Sequence, residues 1–339
     1  MDPDVYQNPA AHVPEKDIKA LLVRVARLAD GPETGIFGPD SVTWRVNRES
    51  ALFLGAGRAA LLQLAHPWVA AALADHSTVL DRPIARFHNT FRVVFTMVFG
   101  TLEQALAAAR HLYKLHTHIT GQIPEDVTSY RRGSPYEAND IPALRWVFAT
   151  LIESAVIAYE AVLPPLDAAE RERYYAEACT LAGLFGIPPE ALPENWEAFA
   201  GYNREMCASN ALGVSQGAKV IARSLLAGAG SWIHPPPWYR ALTAVWMPPR
   251  FREEFDLPFG APERRSGERA LRLLPQIYRR LPGAVRFSGP WREAQARLAG
   301  RRPGQLTQWS NRFWIGEPRM PFGGIATRGG RGREPAIVK

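Results

Sequence analysis

Cysteine is almost missing from this 339-residue chain: Cys179 and Cys207 are the two it has. Two thiols cannot build a disulfide framework, no C-x-x-C spacing offers a zinc or redox pair, and the C-x-x-C-H pattern of covalent haem attachment is absent. A reducing, cytoplasmic compartment is the expectation. A basic-then-apolar opening is also lacking, since Met1, Asp2, Pro3 and Asp4 lead the chain, which argues against a secretory signal. No uninterrupted apolar run approaches the roughly 18 residues of a spanning helix. Arg58, His66, Asp75 and Glu153 break the longest candidates, so no transmembrane span is expected. The Walker A loop, G-x-G-x-x-G, H-E-x-x-H and paired Glu-x-x-His motifs do not occur. NTPase, dinucleotide, zinc and di-iron carboxylate readings lose their support together.

What is present is apolar bulk and an uneven charge. Hydrophobic residues make up 47% of the chain, enough to bury a large core and to exclude disorder for most of it. The formal charge of +7 is a C-terminal property: residues 1–249 carry 21 Lys and Arg against 25 Asp and Glu, whereas residues 250–302 carry 13 Arg against 6 acids. A uniformly basic nucleic-acid-binding body is not what this describes. The Arg328-Gly-Gly-Arg331-Gly-Arg333 run has two readings, an RNA contact and a solvated, disordered tail, and the second is the plainer.

Apolar residues recur at helical spacing from Ile18 to Leu28. Ser41 is placed to cap a helix through Val46, and residues 50–74 are too continuously apolar for a surface helix. Further helices are predicted near 83–98, 101–120, 140–162, 167–184, 193–211, 214–227, 236–245 and 267–281. Alternating strand patterns are nearly absent, and Pro and Gly mark the connections. The chain reads as an all-α protein of eight or more helices.

Six of the eight histidines fall between 66 and 118, inside this apolar helical region. His66 precedes Pro67, whose ring removes a backbone donor and clashes with the Gln63 carbonyl, so a kink or break is expected. Such a break either makes room for a bulky ligand or is a packing kink around a satisfied histidine. Arg86, Asn89 and Thr90 share one helix face with Val93 and Val94 one turn on, which brings a cation, an amide and a hydroxyl beside apolar surface. That arrangement suits an anion or a small polar ligand such as dioxygen, or is the ordinary edge of a half-buried helix. His116 lies at a helix end among Leu112, Leu115 and Ile119, where one ring nitrogen can project into an apolar cavity. This is the geometry of a proximal haem ligand, with a plain core histidine as the alternative. His111 and His118 point elsewhere and read as surface residues.

Several motifs in order carry a family resemblance: Gly57-Arg58 through Gln63-x-x-His66-Pro67, Asp75-His76-Ser77, Arg86-x-x-x-Thr90, Phe99-Gly100-Thr101, His116-x-x-Ile119-x-Gly121, Tyr136-x-Ala138-Asn139-Asp140, Leu144-x-Trp146-Val147 and Glu170-Arg171-x-x-Tyr174-Tyr175. Together they resemble the DUF2236 family, which includes latex-clearing protein (rubber oxygenase) and the fungal oxygenase MpaB. The resemblance covers roughly residues 38–300. It implies a globin-like helical core with additional helices at 38–302, an N-terminal extension at 1–37 and a C-terminal tail at 303–339. It further implies non-covalent haem b and oxidation of an apolar substrate by O2. The family's proximal iron ligand falls on His116 and its pocket arginine and threonine on Arg86 and Thr90, with His66 and His76 as supporting groups beside the cofactor. Asn89 stands where the rubber oxygenase carries a distal lysine, and Phe148 follows Trp146-Val147 where many relatives have histidine. The first departure argues against polyisoprene as substrate and against a closed six-coordinate iron. Asp75 is the candidate carboxylate by proximity in sequence.

The expectation is therefore a haem b-dependent oxygenase taking O2 and a small to medium hydrophobic substrate, with Arg86, Asn89 and Thr90 as catalytic-side residues. The alternative from another class is a non-enzymatic helical protein that binds haem or lipid. Three roles stay open for the Arg-rich 250–302 segment: a solvated face, peripheral contact with an anionic membrane surface, or pairing with haem propionates.

Overall fold

The alanine- and leucine-rich segments become sixteen α-helices in a computed structural model that describes residues 12–76, 82–229 and 234–322. They are α1 (Glu15–Leu28), α2 (Val42–Asn47), α3 (Ala56–Leu64), α4 (Pro67–His76), α5 (Pro83–Phe99), α6 (Leu102–His116), α7 (Ile141–Glu160), α8 (Ala168–Leu184), α9 (Trp196–Ala208), α10 (Gln216–Ala227), α11 (Pro237–Trp246), α12 (Pro249–Glu254), α13 (Ala261–Tyr278), α14 (Gly283–Arg286), α15 (Gly289–Leu298) and α16 (Gln305–Ile315). Two 3-10 helices, Ser50–Gly55 and Pro189–Ala191, join them. A single antiparallel hairpin, β1 (Thr120–Gln122) with β2 (Pro135–Glu137), is the only sheet among the described residues. The all-α class holds. The Arg328–Arg333 run, and Ser77 of the Asp75-His76-Ser77 motif, lie outside the described residues.

Local chemistry accounts for the helix starts. Ser41 accepts the Trp44 N–H at 3.0 Å, Thr101 and Gln104 form a reciprocal capping box, and Asp167 with Glu170 forms another. The continuous apolar stretch at 50–74 is not one helix but three pieces. Gly55 ends the 3-10 turn where its backbone lies against α7, and a Cβ there would meet the Ser154 carbonyl oxygen at 2.5 Å. The second break falls at Pro67, as the missing donor requires. The Gln63 carbonyl, which Pro67 cannot serve, accepts the His66 N–H at 3.0 Å instead.

Helix α7 is the centre of the body. By length and composition it is the described helix apolar enough to cross a membrane, yet Trp146, Phe148, Ile152 and Val156 are spent on the protein core. Its one acid with a buried partner, Glu153, pairs with Arg58, whose guanidinium also donates to Ser154 Oγ and the Trp246 carbonyl. The main core gathers α1, α2, α5, α6, α7 and α8, and a second cluster lies under α3, α4, α10 and α12. Two helices not singled out by periodicity, α15 and α16, return across α5. Trp314 of α16 stacks on Phe53 with centroids 3.9 Å apart, and His88 and Arg92 on α5 donate to the Phe313 and Ile315 carbonyls at 3.0 Å.

Asp140 caps α7 from a buried position, accepting the Ala143 N–H at 2.8 Å. Burial pushes its carboxyl up to about 7 from the ordinary 3.8. A raised native pKa means the folded state holds the proton more tightly, so the stability it contributes is complete below the unfolded value and is lost as pH rises through about 7. Asp140→Asn keeps the capping oxygen and removes the titration. Relative to the parent, the variant should gain on the order of a few kcal/mol between pH 4 and pH 8, read as urea unfolding midpoints at the two pH values. An equal difference at both would show that this carboxyl does not titrate there.

Candidate functional site

Helix α6 ends at His116, and the chain then doubles back through β1 and β2. The Ala138 N–H donates to the Ile119 carbonyl at 3.0 Å, which lays the segment before α7 alongside the last turn of α6. That brings in Asn139, a fully buried side chain whose amide nitrogen donates to the Tyr113 carbonyl at 3.4 Å. The same side chain hydrogen-bonds the His116 ring. Gly121 is required here because the Tyr136 ring lies directly over it: a Cβ would sit 2.5 Å from the tyrosine oxygen. Tyr136 in turn donates to Asp75 at 2.6 Å, tying the hairpin to the end of α4. The spacing of His116-x-x-Ile119-x-Gly121 is thus the geometry of one closed turn.

Three influences set the state of His116. Burial is the largest and disfavours the imidazolium. The positive charge of Arg86 acts in the same direction, and the Asn139 hydrogen bond opposes them. The outcome is a ring held neutral down to about pH 4. Arg86, one turn into α5, presents exposed surface, and yet surrounding protein pulls its guanidinium below its ordinary range by desolvation. Asn89 is exposed on the same stretch of α5. Thr90 is half-buried, its hydroxyl donating to the Arg86 carbonyl at 3.1 Å, and Val93 and Val94, also half-buried, follow along the helix.

The structure therefore brings Arg86 and His116 within electrostatic reach of one another. The other two histidines serve different contacts. His66 is fully buried and kept neutral, down to about pH 4, with its ring 6.2 Å from Trp68 and 5.8 Å from Tyr130. His66 Nδ1 and Trp68 Nε1 have no hydrogen-bond partner among the described residues. His76 is exposed and its Nε2–H donates to the Thr120 carbonyl at 2.9 Å. Neither is among the groups that act on His116. His111 and His118 are exposed, as expected. Phe148 is a core side chain packed against Phe185. Asn139 was not among the predicted site residues. Its only sequence signal is membership in the Tyr136-x-Ala138-Asn139-Asp140 motif, and neither helical nor strand periodicity links it to His116.

Comparison with known proteins adds to this geometry. The family described as ER-bound oxygenase mpaB/B'/Rubber oxygenase, catalytic domain, matches residues 44–287. The chain belongs to this family. It is thus a member of a family of oxygenase catalytic domains, and the matched stretch contains Arg86, His116 and Asn139 but not α15 or α16. No curated protein and no solved structure gives a match.

Proposed function

We propose that this protein is a haem b-dependent oxygenase that takes O2 and a small to medium hydrophobic substrate, with His116 as the iron ligand. The observation that carries this reading is the state of His116: a neutral, half-buried ring, one nitrogen engaged by buried Asn139, with the Arg86 cation within electrostatic reach. Metal-bound histidines characteristically give their second nitrogen to such a partner, which fixes tautomer and ring plane. Among the described residues no three His, Cys, Asp or Glu side chains converge as a metal site. A single histidine is the donor set a porphyrin-borne iron needs from a protein, since the macrocycle brings the rest. When bound, haem supplies the iron at which O2 is taken up and the substrate oxidised.

The chain's own residues do the remaining work. Asn139 accepts the His116 ring proton and holds the imidazole in one plane. Arg86 presents a desolvated cation to an anionic or polar ligand group, and its pairing strength is raised by the same crowding that lowers its pKa. Asn89 and Thr90 add an amide and a hydroxyl on that face, with no amine to close it. Val93 and Val94 exclude water and favour an apolar substrate.

The direct test is an absorption spectrum of the full chain purified with haem supplied: a Soret band with one haem per chain is expected, and its absence overturns the reading. Arg86→Ala should keep the helical fold and weaken haem retention or the response to added anionic ligands by about tenfold. Haem uptake with no donor-supported O2 consumption across a panel of olefins and terpenoids would favour the non-enzymatic haem- or lipid-binding alternative.

A further inference from the structure

Helix α13 lies within the Arg-rich 250–302 segment, and the fold divides the arginines of this segment into two groups. Arg264 donates to the Phe259 carbonyl and lies over that ring, and Arg279 donates to the Val162 carbonyl. Beyond the helix, Arg286 is bound to Glu49, and Arg292 and Arg297 serve backbone carbonyls of Gly283, Phe287 and Phe99. Arg265, Arg269 and Arg272 are exposed and form no ion pair or side-chain hydrogen bond among the described residues, while Arg280 reaches only the Gln276 carbonyl one turn back. At 100° per residue Arg265, Arg269 and Arg272 fall on one side of α13, with Arg280 just past its end, away from Gly267, Ala270 and Tyr278, which are buried. The inward face fits closely: a Cβ on Gly267 would meet Val245 of α11 at 2.5 Å.

Along one edge of this arginine stripe stand large aliphatic residues in water. Leu273 is 46% and Ile277 55% exposed, one turn apart. Glu268 is the one free acid on α13, since Glu263 is engaged in capping Gly260. No aromatic residue stands on this side, so the stacking platform of a single-stranded nucleic-acid site is missing. The cation acting on His116 is Arg86, and no α13 arginine is among the groups that act on that ring.

We propose that the outward face of α13 is a docking surface for a membrane bearing anionic lipids. Leu273 and Ile277 enter the boundary between headgroups and acyl chains, and Arg265, Arg269, Arg272 and Arg280 lie flat along the surface with their guanidinium groups at the phosphates. Charge complementarity and exposed aliphatic area point to the same occupant: unpaired cations beside short aliphatic anchors match a lipid headgroup layer. A protein partner would have to supply acids and a hydrophobic socket in register. The inference is independent of the identity of the cofactor.

The test is flotation of the full chain with phosphatidylcholine vesicles, with and without phosphatidylserine. Binding is expected only when phosphatidylserine is present, and should weaken as salt is raised through the physiological range. Arg265→Glu/Arg269→Glu/Arg272→Glu and, separately, Leu273→Asp/Ile277→Asp should each lower vesicle binding by about tenfold or more with an unchanged melting temperature, since these side chains hold nothing else in place. The charge-matched control Arg301→Glu/Arg302→Glu/Arg319→Glu, on another face, should bind as the parent does. The proposal fails if serine-containing vesicles are not bound, if plain phosphatidylcholine binds equally, or if the control loses as much as the α13 variant. It also fails if light scattering shows a dimer that Leu273→Asp/Ile277→Asp dissociates.

Discussion

His116→Ala protein, purified with haem supplied, is expected to emerge without a Soret band and without oxygenase activity, while its circular dichroism and melting temperature stay those of the parent. The separation of the two effects follows from where the residue sits. His116 is the last residue of α6 and half-buried, so alanine, a strong helix former, replaces it there with little structural cost. Ligation has no substitute, because no second histidine faces His116. Imidazole added to the variant should enter the space left by the ring and restore part of the Soret band. The acid limit of haem retention is set by the same residue. A ring neutral to about pH 4 competes poorly for protons, so haem should be held through pH 5 and lost as pH falls below about 4, whereas a histidine with the ordinary value of 6.5 would begin to lose it well above that. His66→Ala should behave in the opposite manner, lowering the melting temperature because it opens a cavity beside Trp68 and Tyr130, and leaving haem ligation intact. Full haem loading of His116→Ala, with loss in His66→Ala or His76→Ala, would move the ligand to one of those positions.

Glu49→Ala is expected to cost roughly 3–5 kcal/mol of folding stability, among the largest effects of any polar substitution in this chain. The carboxylate is 1% exposed. It accepts from Arg286 Nη2 at 3.1 Å on both oxygens, from Tyr278 Oη at 2.9 Å and from Arg48 Nε at 3.3 Å, and its backbone bridges Phe287. Truncation strips the carboxylate from the largely buried Arg286 and Tyr278, as well as from the more exposed Arg48, and the loss of partners for the buried groups is what destabilises. Glu49→Gln keeps the shape and loses the charge, so it should fall between the parent and alanine. Tyr278→Phe removes one donor and should cost about 1 kcal/mol. Urea midpoints for the three variants measure the series. Because the network joins the end of α13 and all of α14 to the 3-10 turn at Ser50–Gly55, hydrogen exchange in Glu49→Ala should rise first between residues 278 and 287. A loss below about 1 kcal/mol for Glu49→Ala would mean that Arg286 and Tyr278 regain water without strain.

Much of the fold is legible in residue order. The helix class, the Ser41 cap, the break at Pro67 and the placement of His116 at a helix end follow from local rules, because periodicity, capping and the missing proline donor act within one or two turns. The motifs that resemble the oxygenase family also lie in short windows, and the family match spans them. The helices α15 and α16 were not legible, since their apolar residues are few and become buried only against α5, whose face cannot be read from their own spacing.

What the tertiary structure alone decided is which residue meets which across space. Asn139 reaches His116 because β1 and β2 close a turn and the Ala138 N–H finds the Ile119 carbonyl, a contact no helical period encodes. Gly121 is needed because Tyr136 packs over it. Arg286 and Arg269 are chemically identical and close in sequence, but one is committed to a buried carboxylate and the other stands free beside Leu273. Residue types and their periods are properties of a chain segment; burial, desolvation and pairing depend on what packs against that segment, so they exist only once the chain has closed on itself.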